Sequence, residues 1–358
     1  MYNPFINGEF PAGVRTIELT GKNGNYTTEI WYPAADEYRG AKAIDAFRFV
    51  EELPEATQEA VRDARPAQGK RPLVMYWHGG YGHRREMAAM CVYLASHGFV
   101  VAAPDFPGDN IRDMYGMNPA IKRRPVDASA RARPVQGAEV IELLALNASS
   151  FLRNVVNAEK VGSFGLSLGG FTALSVNAES PRTVACVAIA PSSGRRSPLP
   201  QMARVTRFLR LDWKSEVSTL LLTGEADALV ILEDVRELFA NLTEPKRLVV
   251  LKKAGHLHWA DNAEEMHEAL RLRYLSGEFP DPEIDGPAVG RAFRPFAELC
   301  PAEHATETMR GLTLAHFEAN LMASAEARAF LQNDLVGTFT ARGIDLEVAS
   351  EPMVARLE

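Results

Sequence analysis

From about residue 73 to residue 251, short apolar runs alternate with amphipathic segments, and few folds accommodate that pattern. Residues 73–77, 99–103, 161–164, 184–190, 219–222 and 248–251 read as buried strands. Residues 85–96, 135–146, 169–177 and 232–241 read as helices, the first of them ended by Gly98. Strands joined through helices pair in parallel by right-handed crossovers. The expected fold class is therefore α/β, a mostly parallel central sheet with helices on both faces. Ligands on such sheets gather at the carboxyl ends of the strands, so the chemistry belongs there.

Outside the series, residues 14–19 and 26–32 are β-prone runs flanking Thr20-Gly21-Lys22-Asn23-Gly24-Asn25, which reads as an N-terminal antiparallel hairpin. Residues 33–71 read as a polar connector with one helix around 54–63. Residues 108–133, 191–214 and the proline-rich 277–308 break the alternation and are expected as lid-like insertions. In residues 309–333, Leu312, Leu314, Phe317, Leu321, Met322, Phe330 and Leu331 recur at helical spacing, which predicts one or two helices packed back on the sheet.

Gly165-Leu166-Ser167-Leu168-Gly169-Gly170 lies where a strand should pass into a helix. A G-x-S-x-G sequence alone is weak, but in that position it makes a sharp turn that lifts a serine above the sheet. A serine hydroxyl needs a histidine base, itself oriented by a carboxylate. Asp227 follows the strand at 219–222 within Thr223-Gly224-Glu225-Ala226-Asp227. His256 follows the strand at 248–251 within Lys252-Lys253-Ala254-Gly255-His256. The order Ser, Asp, His is the one this architecture uses.

Together with His78-Gly79-Gly80 and Ala103-Pro104-Asp105-Phe106-Pro107-Gly108, these segments resemble the α/β-hydrolase superfamily, and within it esterases similar to dienelactone hydrolases and platelet-activating-factor acetylhydrolases. The matching segments span roughly residues 70–262. The resemblance implies an α/β-hydrolase fold, with Ser167 as nucleophile, Asp227 as acid and His256 as base. Dienelactone hydrolases proper carry a cysteine nucleophile where this chain has serine, so their particular substrate is not implied. No family role attaches to residues 277–358. Because the three residues are distributed over successive strands, a single domain spanning residues 1–358 is expected.

An acyl-transfer intermediate also needs donors for its oxyanion. Leu168 should supply one backbone N–H and Gly80 the other, with Tyr81 as the alternative. Glu225 competes with Asp227, and His258 with His256; Asp227 and His256 are preferred for their positions after the strand ends. His258 is then a pocket or surface residue. His78 reads as structural, and His83, His97, His267, His304 and His316 as exposed or helix-packing. Tyr81, Phe106 and Trp259 are candidates for the substrate pocket, and Met87, Met90, Met114 and Met117 for an adaptable apolar wall.

Composition narrows the remaining classes. The 39 basic and 46 acidic residues leave a net charge of -7, which does not suggest a nucleic-acid partner, and Arg84-Arg85 and Lys122-Arg123-Arg124 read as solvated faces. Cys91, Cys186 and Cys300 are too few and too scattered for a disulfide framework. Neither a P-loop nor a G-x-G-x-x-G dinucleotide motif is present, so no cofactor is expected, and no metal. The N-terminal residues lack a signal-peptide pattern and no apolar run of membrane-spanning length occurs, so a cytoplasmic protein is expected. The leading expectation is a serine carboxylic-ester hydrolase acting on a small-molecule ester. The same three residues could serve a lactone, an amide, a polyester or a carbon-carbon bond, and a catalytically inactive ligand-binding protein is the alternative of another class. Oligomeric state is not encoded in these motifs.

Overall fold

The computed structural model describes residues 2–41, 43–48, 55–114, 125–146, 150–277 and 283–350. Met117 and Lys122-Arg123-Arg124 lie outside the described residues, as do parts of the expected helix at 54–63 and of the stretches at 108–133 and 277–308.

The N-terminal hairpin is β1 (Ala12–Thr20) and β2 (Asn25–Pro33), paired antiparallel in one continuous register. The connector carries β3 (Asp45–Phe47), β4 (Ala56–Gln58) and β5 (Val61–Arg62). The expected helix at 54–63 is thus corrected. β4 pairs with β3, and β5 adds in parallel to β1, so strand pairing overrides the local helical propensity.

The alternating series follows. β6 (Arg71–Trp77) leads to α1 (Ala88–Ser96), β7 (Val100–Pro104) and α2 (Ile111–Met114). α3 (Val126–Leu146) and α4 (Ser150–Val155) precede β8 (Val156–Leu166) and α5 (Leu168–Ser175). Then come β9 (Thr183–Ile189), α6 (Pro200–Thr206), β10 (Ser218–Gly224), α7 (Leu232–Asn241) and β11 (Lys246–Leu251). The chain ends with α8 (Ala263–Leu275), α9 (Gly286–Ala292), α10 (Ala302–Leu321), α11 (Ala325–Gln332), α12 (Leu335–Thr340) and β12 (Leu346–Ala349). α3 starts well before residue 135, so residues 126–133 belong to a sheet-covering helix and not to an insertion. Pro134 lies inside it and masks its continuity in the sequence.

Ten strands form one sheet in the order β12-β11-β10-β9-β8-β6-β7-β2-β1-β5. From β7 through β11 every neighbouring pair is parallel, while β2 on one side and β12 on the other pair antiparallel to that block. Alternation along β6 shows why the chain must cover both faces. Val74 and Tyr76 join a core with α1 and α10, whereas Leu73, Met75 and Trp77 join another with α3 and α7. The C-terminal segment is therefore structural to the sheet. Phe317 of α10 packs so closely on β8 that a Cβ on Gly162 would lie 2.8 Å from its ring. Among the described residues, no helix is long and apolar enough to cross a membrane.

Candidate functional site

Ser167 sits between β8 and α5 with φ 58° and ψ -117°, a strained conformation for a residue with a side chain. The turn is tight enough to exclude side chains beside it. A Cβ on Gly165 would meet the Gly169 backbone at 2.4 Å, and one on Gly169 would meet the Trp77 carbonyl at 1.9 Å. Backbone bonds fix the elbow: Ser167 N–H donates to Ile189 O at 2.9 Å, and Ser192 N–H donates to Ser167 O at 2.9 Å. The serine keeps partial exposure while its neighbours Gly165, Leu166, Leu168 and Gly169 are buried.

Asp227 and His256 are brought together by the loops after β10 and β11, which touch where a Cβ on Gly224 would lie 2.2 Å from Ala254 O. His256 Nδ1 donates to Asp227 Oδ2 at 2.7 Å. The other oxygen, Asp227 Oδ1, accepts the N–H groups of Leu229 and Val230, both at 2.8 Å. The Asp227 side chain is fully buried, so the carboxylate has one fixed orientation. With Nδ1 as donor, Nε2 of His256 is the free ring nitrogen, ready to act as a base. Ser167 Oγ pairs with Ser192 Oγ at 3.3 Å, and no hydrogen bond joins it to His256.

The competing residues lie elsewhere. Glu225 is exposed and pairs with Lys252 at 2.9 Å. His258 is a correction to its expected place in a pocket or on the surface. It is buried, its Nδ1 accepts Gly255 N–H at 3.0 Å, its Nε2 donates to Cys300 O at 3.1 Å, and it stacks on Phe296. Burial lowers its pKa to about 4. Phe106 and Trp259 are corrections too. Both are buried in the core, Phe106 stacked on Trp77 beneath the Arg133 guanidinium. Met87 and Met90 are likewise buried core residues, so they form no open wall. Tyr81 stays partly exposed. His267 and His316 pack within the helices as read, whereas His83 is half-buried, and desolvation with the neighbouring Arg84 and Arg85 lowers its pKa to about 3.

The loop His78-Gly79-Gly80-Tyr81-Gly82 is tightly tied. Gly79 N–H donates to Glu86 Oε2 at 2.7 Å, Tyr81 N–H to Asp109 Oδ1 at 3.2 Å and Gly82 N–H to Gly79 O at 3.2 Å. Arg133, fully buried and paired with Asp109 at 2.7 Å, donates to the carbonyls of His78 at 2.6 Å and Gly79 at 2.9 Å. Among the described residues, the N–H of exposed Gly80 has no acceptor, and neither has that of Leu168. A Cβ on Gly80 would lie 3.8 Å from the Leu168 side chain, so the two stand side by side. The Tyr81 N–H is already occupied. His78 is structural here: its Nδ1 donates to Gly79 O at 2.8 Å and its Nε2 accepts Phe106 N–H at 3.2 Å.

Sequence reasoning missed Ser192, Glu86, Asp109 and Arg133. Ser192 had one usable signal, its place just past a strand end. Asp109 and Arg133 had none, since their partners are remote in the chain, and Glu86 had none because its partners, 7 and 10 residues back, stand at no helical or strand spacing from it. Val205 of α6, within residues 191–214, packs with Ala130 of α3 against Leu168 and Phe171, so both stretches read as insertions cover the helix behind the serine.

Against known proteins, the dienelactone hydrolase family model matches residues 60–272, more than half of the chain. No curated protein matches the sequence. Among solved structures, a ferulic acid esterase from Streptomyces cinnamoneus, determined at 2.4 Å, superposes with a TM-score of 0.63. It is 20% identical, and the alignment covers 96% of this chain and 97% of that one, a likeness of fold. The serine turn, the carboxylate–imidazole pair after the strand ends and the matched span lead to one conclusion: the chain belongs to the dienelactone hydrolase family, and its fold is that of the α/β-hydrolases.

Proposed function

We propose that the protein is a serine carboxylic-ester hydrolase working through an acyl-enzyme on Ser167. The observation that carries this reading is the 2.7 Å pair of His256 Nδ1 with Asp227, in the loops after β10 and β11 on the same edge of the parallel sheet as the strained serine turn after β8. Ser167 Oγ turns from Ser192 toward Nε2 of His256 as substrate enters, and attacks the ester carbonyl while His256 takes its proton. Catalytic hydrogen bonds are often long or unmade in an empty site, so the Ser192 contact is compatible with this step. The tetrahedral oxyanion is received by the unengaged N–H groups of Leu168 and Gly80, each such donor contributing about 3 kcal/mol of transition-state stabilisation. The Asp109 carboxylate that takes the Tyr81 N–H supports Gly80 over Tyr81 as the second donor.

His256 then returns the proton to the departing alcohol, and Asp227 holds the imidazole tautomer and stabilises its charged form. Water attacks the acyl-enzyme by the same base and frees the acid. The neighbouring structure is that of an esterase, which agrees with an ester as the substrate class. Turnover of a panel of aryl esters by wild type and Ser167→Ala tests the proposal. The variant should fold normally and lose about 10⁴-fold or more in kcat; full activity would overturn it.

A further inference from the structure

A carboxylate that this mechanism does not use lies directly behind the oxyanion loop. Glu86, between that loop and α1, accepts Gly79 N–H at 2.7 Å and the Tyr76 O–H at 2.6 Å through the same oxygen, Oε2. Its other oxygen fills the concave side of the turn. A Cβ on Gly82 would lie 2.5 Å from Oε1, and one on Gly79 would lie 3.2 Å away, so the loop is wrapped around this group. Tyr76 is buried near the end of β6 with its ring against Phe164, which anchors the carboxylate to the sheet. Glu86 takes Gly79 N–H, Asp109 takes Tyr81 N–H and Gly79 O takes Gly82 N–H, while the Gly80 N–H of this loop is left without an acceptor.

The charged and titratable groups facing Glu86 come from four elements: Tyr76 of β6, Arg133 of α3, His256 after β11, and Asp261 before α8. Burial raises its pKa, opposed by the Gly79 and Tyr76 hydrogen bonds and by the positive charges of Arg133 and His256.

We infer that Glu86 is a positioning residue for ester cleavage: it holds the Gly79 peptide so that Gly80 N–H meets the oxyanion, and its charge supports the protonated His256 imidazole. This rests on the serine-esterase reading above. The two roles separate by substitution. Glu86→Gln keeps an oxygen for Gly79 N–H but removes the charge, whereas Glu86→Ala removes both.

The test uses the full chain and measures kcat, KM, the pH dependence of kcat/KM and inhibition by an alkyl boronic acid, which mimics the tetrahedral intermediate. Glu86→Gln should lower kcat only a few-fold and move the acidic limb of the profile to lower pH, because losing a nearby negative charge disfavours the imidazolium. Glu86→Ala should lower kcat at least tenfold further, with KM within about twofold and boronate affinity weakened in parallel. If Glu86→Ala does not fold, the acidic limb of Glu86→Gln decides alone. A wild-type limb in Glu86→Gln, or equal kcat and boronate affinity in the two variants, would overturn the inference. Failure of the esterase reading would look different: wild type itself would show no Ser167-dependent turnover.

Discussion

Ser167 has φ 58°, a conformation that costs about 1–3 kcal/mol for a residue with a side chain. The surrounding backbone must overdetermine that geometry, and the bonds from Ser167 N–H to Ile189 O and from Ser192 N–H to Ser167 O do so. Asp227 is held as firmly, with one oxygen on two backbone donors and the other on His256. If its role is to fix the imidazole tautomer, Asp227→Asn should fold normally and lose about 10⁴-fold in kcat at neutral pH, measured by steady-state kinetics. A separate prediction concerns pH. Burial pushes the Asp261 carboxyl up to about 6, opposed by the Ala89 N–H it accepts and by Arg310, and reinforced by Glu86. A folded-state pKa above the unfolded value means that the native chain binds more protons, so this residue's contribution falls as pH rises from about 4 to 6. Asp261→Asn should therefore gain on the order of 1–2 kcal/mol over wild type at pH 7.5 and little at pH 4, read by urea unfolding.

At the scale of elements, α10 closes one face of the sheet through Leu312, Leu314 and Phe317. Phe317→Ala should cost about 3–5 kcal/mol in denaturant unfolding, since the side chain is fully buried against β8, while kcat per folded molecule stays near wild type. The strands from β6 to β11 were legible in the sequence because strands buried on both faces read as continuous apolar runs. The placement of Ser167, Asp227 and His256 just after β8, β10 and β11 was legible because each sits at a short offset from such a run. α8 was not, since Ala263–Leu275 mixes Glu, His and Arg among its apolar positions and buries only part of its length. β4 and β5 were misread because their partners, β3 and β1, lie elsewhere in the chain. Asp109 and Arg133 were hidden for the same reason: Arg133 reaches back 55 residues to the His78 carbonyl, and no local spacing encodes such a contact.

Across the whole molecule, the ten-stranded sheet sets the turns after β8, β10 and β11 on one edge, and the segments on either side of the motif region complete its two cores. β2 and β12 close the parallel block with antiparallel partners, and α10 covers it. The frame carries a partly exposed serine, the unengaged N–H groups of Leu168 and Gly80, and an imidazole oriented by Asp227. The decisive property of such an assembly is that it should pause as an acyl-enzyme. Intact-protein mass spectrometry after rapid quenching with an activated aryl ester, followed by peptide mapping, measures it directly. Wild type should carry a single acyl group on Ser167, formed far more slowly in His256→Ala. Hydrolysis without any adduct on Ser167, or acylation of a different residue, would contradict it.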